Sequence, residues 1–546
     1  VRPITIASTS TAAFLGEAEK GSLTDAVKIY NFTQFEDLYG GFLNNSYLAH
    51  SVYQFFNNGG SQCYIVSVAG ANVETANIVL TDRDTVTPLP SITVSAVSPG
   101  VWGNQLDLVI TDGTKDPGNE FNLDVHIAGD AVPVESYKNL SLIPTSPNFV
   151  ESITSTSSNI RVTVDPSILD GTNTNLSAGT SAGAGAPVTP TGTNTRMRVN
   201  VNGDGYQEIN LQDAVATGTP PDLSTAANMA TAIQVRVRAL TRQRASTDQL
   251  AFDNFTCTVD GGTGALVLTS GVTGVASSVN VAPATSGDAT SFLQLGTLNL
   301  GAVESLGGSV NRPRSSDPGL FYHMGDHVLP ADGVVSITAG ADGDPILNDL
   351  PFITALDRLN DIDDVSLIAA PGRGSDVMVG AGMNYCENRS LSDCFYIGDM
   401  GQDDDTVLEA QTFVAGISPK NNYGAVYVPW LFMLDPTGAS PEPIAVPPSG
   451  FMAGMYAKTD AKRGVWKAPA GTAAAVAGAT GLVKNFTDLE QGNLNPDPQN
   501  INVIRQFAAS GRVIWGARTV HSDAEWRYIP VRRTAILLRV SIYRGI

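Results

Sequence analysis

The chain is poor in the residues on which most site chemistries rest. Of 546 residues, five are histidine and four cysteine. Cys63, Cys257, Cys386 and Cys394 include no CxxC pair, and four in a chain of this length make no disulfide framework. Cys63 and Cys257 lie in the apolar runs QCYIVSV and FTCTV and read as buried thiols, which fits assembly in a reducing compartment. No Gly-Lys pair occurs, so the phosphate-cradling loop GxxxxGK[ST] is absent, and a nucleotide-fuelled motor of that class is excluded. Basic residues are scarce: Lys and Arg number 32 against 53 Asp and Glu, a net charge of −21. Phosphate neutralisation needs clustered cations, so no nucleic-acid partner is expected. No stretch of about 18 apolar residues offers a membrane-spanning helix, so direct membrane insertion is not expected. The opening VRPITIASTSTAAFLG lacks the basic-then-apolar order of a signal peptide, and it lacks Met.

Motifs with a chemical meaning are few. One GxSxG match spans Gly179 to Gly183, but its flanks NTNLSA and AGAPVTP show neither the strand nor the helix that a nucleophile elbow requires. His323 and His327 with Asp326 would share a face if helical, yet HMGDH contains Gly325 and runs into Val328-Leu329-Pro330, which favours a loop over a metal site. The acidic groups Asp342/Asp344, Asp361/Asp363/Asp364 and Asp403/Asp404/Asp405 lack the closing Glu of a calcium loop and read as solvated. No catalytic, cofactor-binding or metal-ligating residue is therefore assigned, and no enzyme is expected.

What the sequence does carry is a pattern of alternating segment types. Length suggests three or four domains. Over residues 11–70, Ser46 is placed to cap a helix with Leu48, Val52, Phe55 and Phe56 on one face. Asn58-Gly59-Gly60 stops that helix, and the run Cys63 to Val68 reads as a buried strand. From about 88 to 164 the pattern changes to short alternating strands (ITVSAV, LDLVIT, FNLDVHI, NIRVTV). Residues 166–190, rich in Ser, Thr, Gly and Ala, read as a linker or surface loop. Strands and one helix near 226–243 follow, and helix-and-strand alternation returns after about 320. The expected fold class is an α/β (α+β) core domain, discontinuous in sequence, with inserted β-rich and mixed α/β domains. Its parts are 1–90 and 316–546 for the core, 91–165 for the β-rich insertion and 166–315 for the second insertion.

Charge is unevenly spread. Residues 325–410 hold 17 acidic and 3 basic residues, and 501–546 hold 8 Arg and 2 acidic residues. Head-to-tail complementarity between identical subunits, which generates rings or open helices, is one consequence of such a layout. A solvated acidic face with a basic terminal segment is the other.

Several blocks recur in order towards the end: YGAVYVPW from Tyr423, VPPSG and YAKTDAKRGVWKAPA over 446–470, DLEQGNLNP, INVIR, VIWGART, EWRYIPVRR and SIYRG. With FFNNGGSQCYIVSV and SPGVWGNQLDLVI earlier, this order resembles the contractile tail sheath family of phages, bacteriocins and contractile injection systems. The resemblance implies a structural subunit that forms a helical homo-oligomer around an inner tail tube protein, with baseplate and tail terminator proteins as further partners. It also implies a place in the virion, assembly in the bacterial host cytoplasm, and work done by changing contacts between copies. Arms usual in the family are not recognisable at either end, so a trimmed, weakly associating fragment is expected. The insertion 166–315 is expected to be peripheral and dispensable for polymerisation. Arg463, Arg518, Arg527, Arg532, Arg533 and Arg539 are the candidate subunit or tube contacts. Another class remains open: an enzyme or carbohydrate-binding virion surface protein.

Overall fold

The computed structural model describes residues 6–84, 87–169, 176–213, 221–274, 277–309, 311–316, 318–325 and 333–545. The chain forms two compact units. One comprises Val1–Ala76, Ala96–Asn104 and Thr338–Ile546; the other comprises Asn77–Ser95 and Gln105–Ile337. The first unit is thus left and re-entered twice. A finer separation of 91–165 from 166–315 stands as a proposal.

Short, mostly apolar runs buried at every position mark the centre of the first unit. Such runs fit strands covered on both faces, as in parallel sheets flanked by helices. The strands, in chain order, are β1 (Ala12–Gly16), β2 (Val27–Ile29), β3 (Cys63–Ser67), β4 (Leu367–Ala369), β5 (Phe395–Asp399), β6 (Gly424–Val428), β7 (Asn502–Phe507) and β8 (Gly511–Ile514). Every residue of β1, β4, β5 and β6 is buried. Their spatial order is β2-β3-β1-β4-β5-β6-β7-β8. The interior pairs from β3 to β7 are parallel, and β2 and β8 pair antiparallel at the two ends.

Helices pack on this sheet: α1 (Phe32–Tyr39), α2 (Leu48–Asn57), α3 (Leu350–Ala355), α4 (Asp376–Asn388), α5 (Val407–Gly416), α6 (Ser449–Arg463), α7 (Asp488–Leu494) and α8 (Ile529–Gly545). Local chemistry fixes their starts. Ser375 accepts the main-chain N–H of Met378 at the head of α4, and Thr406/Glu409 and Thr487/Glu490 form capping boxes on α5 and α7. At α2 the N-cap is Tyr47, with no side-chain cap bond; Ser46, expected to cap this helix, lies one residue earlier, and its Oγ accepts the Leu48 N–H at 3.2 Å. The α2 and α6 backbones approach closely: a Cβ placed on Gly450 would lie 2.5 Å from Ser51 Cα, and one on Gly454 would lie 2.6 Å from the Phe55 carbonyl oxygen. The strand β3, the helix at 449 and the terminal helix all form where the sequence places them, with ends shifted by a few residues.

In the second unit the expectation of a linker over 166–190 is overturned. Leu176–Ala182 is a strand, paired antiparallel with Leu266–Thr273 on one side and Val303–Ser305 on the other. Small residues are needed there rather than merely tolerated, because a Cβ on Gly179 would fall 2.4 Å from the Ser277 carbonyl oxygen. The GxSxG match lies largely inside this strand, with Ser181 fully buried, so the serine is not presented on a turn. The helix expected over 226–243 spans Ala226–Arg238, and its Met229, Ile233 and Val237 share a separate apolar core with Met197, Val199 and Leu268.

Candidate assembly surface

The terminal helix α8 inverts the arrangement its composition suggests. Its buried face carries Ile529, Arg532, Arg533, Ile536 and Val540. Val531, Leu538 and Ile542, spaced by seven and four, are exposed instead. Leu538 is 56% exposed.

Arg533 closes a buried bidentate pair with Asp460 in the last turn of α6, at 2.6 and 3.0 Å. The same guanidinium donates to the Thr9 carbonyl at 2.7 Å and lies 4.7 Å over the Tyr456 ring. Tyr456 in turn shares a 2.6 Å hydroxyl–hydroxyl bond with Tyr427 of β6. Arg532 sits between two aromatic rings, 3.9 Å from Trp526 and 4.5 Å from Tyr423. Burial holds its pKa below the ordinary arginine range. Both residues were expected on a contact surface; the structure corrects this. Position 532 shares its helical face with Ile536 and Val540, and 533 is captured by Asp460, so both guanidinium groups are interior.

The other four candidates are outward or half-buried. Arg463 is exposed at the C-terminal end of α6, where a cation also complements the helix dipole. Arg539 is exposed and donates to the Leu391 carbonyl at 3.3 Å. Arg518 is half-buried, 5.7 Å over Tyr528, and Arg527, which precedes that tyrosine, is half-buried as well. Among the described residues none of the four forms an ion pair. Large apolar side chains are also left outside: Leu408 on α5, Leu489 on α7 and Trp466 after α6 are 72%, 78% and 69% exposed. Exposed apolar groups of this size are raw material for association. Part of the acidic segment is already neutralised within the chain, since Asp393 pairs with Arg389 at 2.6 Å with both side chains buried.

One functional-type residue escaped the sequence reading. Asp399, at the end of β5, is fully buried and accepts Ser449 N at 2.8 Å, Ser449 Oγ at 2.7 Å and Gly372 N at 3.2 Å. It ties the start of α6 to the loop after β4. Burial pushes its carboxyl up to about 7, against the pull of the three donors. The folded state therefore holds a proton that the unfolded chain releases above its ordinary carboxylate range. The resulting stability is fully present below about pH 4 and lost as pH rises through about 7, on the order of 4 kcal/mol in all. Asp399→Asn should flatten this part of the pH–stability curve, measured by urea denaturation between about pH 4 and pH 8; an unchanged curve would refute the assignment.

Among the described residues no group of three or more His, Cys, Asp or Glu is placed to hold a metal. Asp326 and His327 lie outside the described residues. His323 Nδ1 meets Asp107 Oδ1 at 2.6 Å.

Buried charges thus bind elements of the α/β core to one another, and apolar side chains are left outside. Residues 353–520 match the family model for the phage tail sheath protein central domain. Over 186 residues the chain is 26% identical to a prophage major tail sheath protein of Pseudomonas aeruginosa (strain UCBPP-PA14), covering 33% of this chain and 44% of that protein. A chain from the contracted sheath of the extracellular contractile injection system PVC shares 33% identity, covering 35% of this chain and 51% of its own, with a TM-score of 0.31. A sheath tail protein of Desulfitobacterium hafniense overlays 100% of this chain and 80% of its own at 8% identity and a TM-score of 0.46. The family-model match is confined to the stretch 353–520. It spans less than half the length of the curated relative it matches.

Proposed function

We propose that this chain is a structural subunit of a contractile phage tail sheath. It polymerises with copies of itself around an inner tail tube and contracts to drive the tube through the host envelope. The observation that carries this reading is the sheath central-domain match, which runs from α3 to the segment before α8. Baseplate and tail terminator proteins are the further partners, the virion tail is the location, and the host cytoplasm is the place of assembly. A bacteriocin or injection-system sheath would work the same way in another particle.

The physics asked of each copy is modest. Elements tied by buried contacts such as Arg533–Asp460 favour a subunit that moves as a rigid body while contacts between copies are exchanged. A gain of about 3 kcal/mol per subunit, over hundreds of copies, releases on the order of 10³ kcal/mol without nucleotide hydrolysis. Arg463, Arg518, Arg527 and Arg539 are the residues we assign to contacts with neighbours or the tube. Electron microscopy of the intact gene product should show hollow cylinders. Arg463→Glu combined with Arg539→Glu should reduce their number several-fold while leaving the fold intact by circular dichroism. Particles that stay single at every concentration, or turnover of a substrate, would overturn the reading.

A further inference from the structure

The sheet of the first unit reverses its winding between β1 and β4. From β1 the chain crosses to β3 on one side, whereas β4, β5, β6 and β7 follow one another on the other. In open parallel sheets the crevice outside the carboxyl ends of such a strand pair is where ligands settle. Here it holds a cavity of about 300 Å³, lined by the end of β1 and the residue after it, the residues that follow β4, the segment just before α2, and residues at and before α3. That is the volume of about ten waters and the lower end of small-molecule sites.

The crevice is shaped by backbone as well as side chains. A Cβ on Gly16 would lie 2.6 Å from Leu48 Cβ, and one on Gly372, whose φ is +78°, would lie 2.4 Å from the Tyr47 ring. Two opposite charges line it, Glu17 and Arg373. Arg373 lies 4.3 Å over the Phe352 ring, and the only hydrogen bond of its guanidinium among the described residues is a 3.3 Å donation to the Ile346 carbonyl. Glu17 is half-buried, which raises its pKa, and its carboxylate accepts no hydrogen bond among the described residues. The two groups form a long ion pair, at 4.0 Å too far apart for a hydrogen bond. Each therefore keeps unfilled capacity in a partly desolvated place, where leaving it unfilled is costly. A simple anion would meet Glu17 and a simple cation would meet Arg373. A ligand carrying both charges satisfies both walls at once, with its carboxylate on the guanidinium and its ammonium on the carboxylate.

We propose that this crevice binds a small zwitterion bearing an ammonium and a carboxylate on one short frame, the free α-amino acids being the simplest members of the class. The proposal is independent of the sheath reading. It is tested on the whole chain by calorimetric titration with glycine and L-leucine, beside methylammonium chloride and sodium acetate as the two halves of the ligand. The expected result is saturable binding of at least one amino acid below about 10 mM, at least roughly tenfold tighter than either half. Glu17→Gln and Arg373→Gln should each weaken it about tenfold or more, and Arg463→Ala should not. If Arg373→Gln fails to fold, the isosteric Glu17→Gln decides. No saturation by either amino acid, acetate binding as tightly as the amino acid, or full retention of affinity in Glu17→Gln would overturn the proposal.

Discussion

Replacing Arg533 by alanine is expected to lower the stability of the first unit by about 3–5 kcal/mol, among the largest effects of any single truncation in this chain. The reason is what would be left behind. Asp460 is 5% exposed at its side chain and its two carboxylate oxygens are held by the Arg533 guanidinium. Without that partner a carboxylate stays buried and uncompensated, and the Thr9 carbonyl loses its donor as well. The stacking over Tyr456 is also removed, for about 1 kcal/mol more. Asp460→Ala should cost nearly as much. The double variant Arg533→Met with Asp460→Leu should recover most of the loss, because two apolar groups of similar volume leave no orphaned charge. Urea midpoints at constant denaturant slope provide the measurement. A loss below about 1 kcal/mol for Arg533→Ala would mean that the pair is solvated and that the proposed tie between α8 and α6 does not hold.

Gly454→Leu should destabilise the same unit by about 3 kcal/mol or more, through overpacking rather than loss of contact. On α6, Gly450 and Gly454 are four residues apart and face α2. Even a methyl at 454 would press on main chain, 2.6 Å from the Phe55 carbonyl oxygen, and on Asn58 Cβ at 2.7 Å. Backbone cannot rotate aside as a side chain would, so the helices must separate. The control is Gly492→Ala on α7, exposed and with nothing within 4 Å of an added Cβ, where alanine should be neutral or stabilising by up to about 1 kcal/mol. A Gly454 variant as stable as wild type by thermal unfolding would show that α2 and α6 have room between them.

The parts of this fold that were legible in the sequence are those where one local rule dominates. Asn58-Gly59-Gly60 ends α2, and the apolar run that starts at Cys63 becomes a strand of the buried sheet. The illegible parts depend on what lies opposite. Nothing in LSAGTSA marks a strand until its neighbours are known to leave room for little more than glycine at 179. The helix α4 and strand β5 went unread because Gly380, Gly382 and Gly398 interrupt the apolar pattern; each glycine is there because another chain segment or ring occupies the place of its Cβ. Arg532 and Arg533 lie inside for a related reason. Charge argues for the outside unless an acid and aromatic rings are waiting inside, and Asp460 and Trp526 are 73 and 6 residues away from their partners in sequence. Asp399 lay in view as an ordinary aspartate, since only the fold shows its burial.

Neighbouring strands β1 and β4 are joined through Ala12–Leu367, so the two halves of the central sheet are written more than 300 residues apart. At ordinary rates of synthesis β1 emerges roughly 20–70 s before its partner exists. Throughout that interval the early half offers an apolar, hydrogen-bond-hungry rim to anything nearby, including the same half of another nascent chain. Yield from cells should therefore be governed less by the finished protein's stability than by how well that rim is shielded while translation continues.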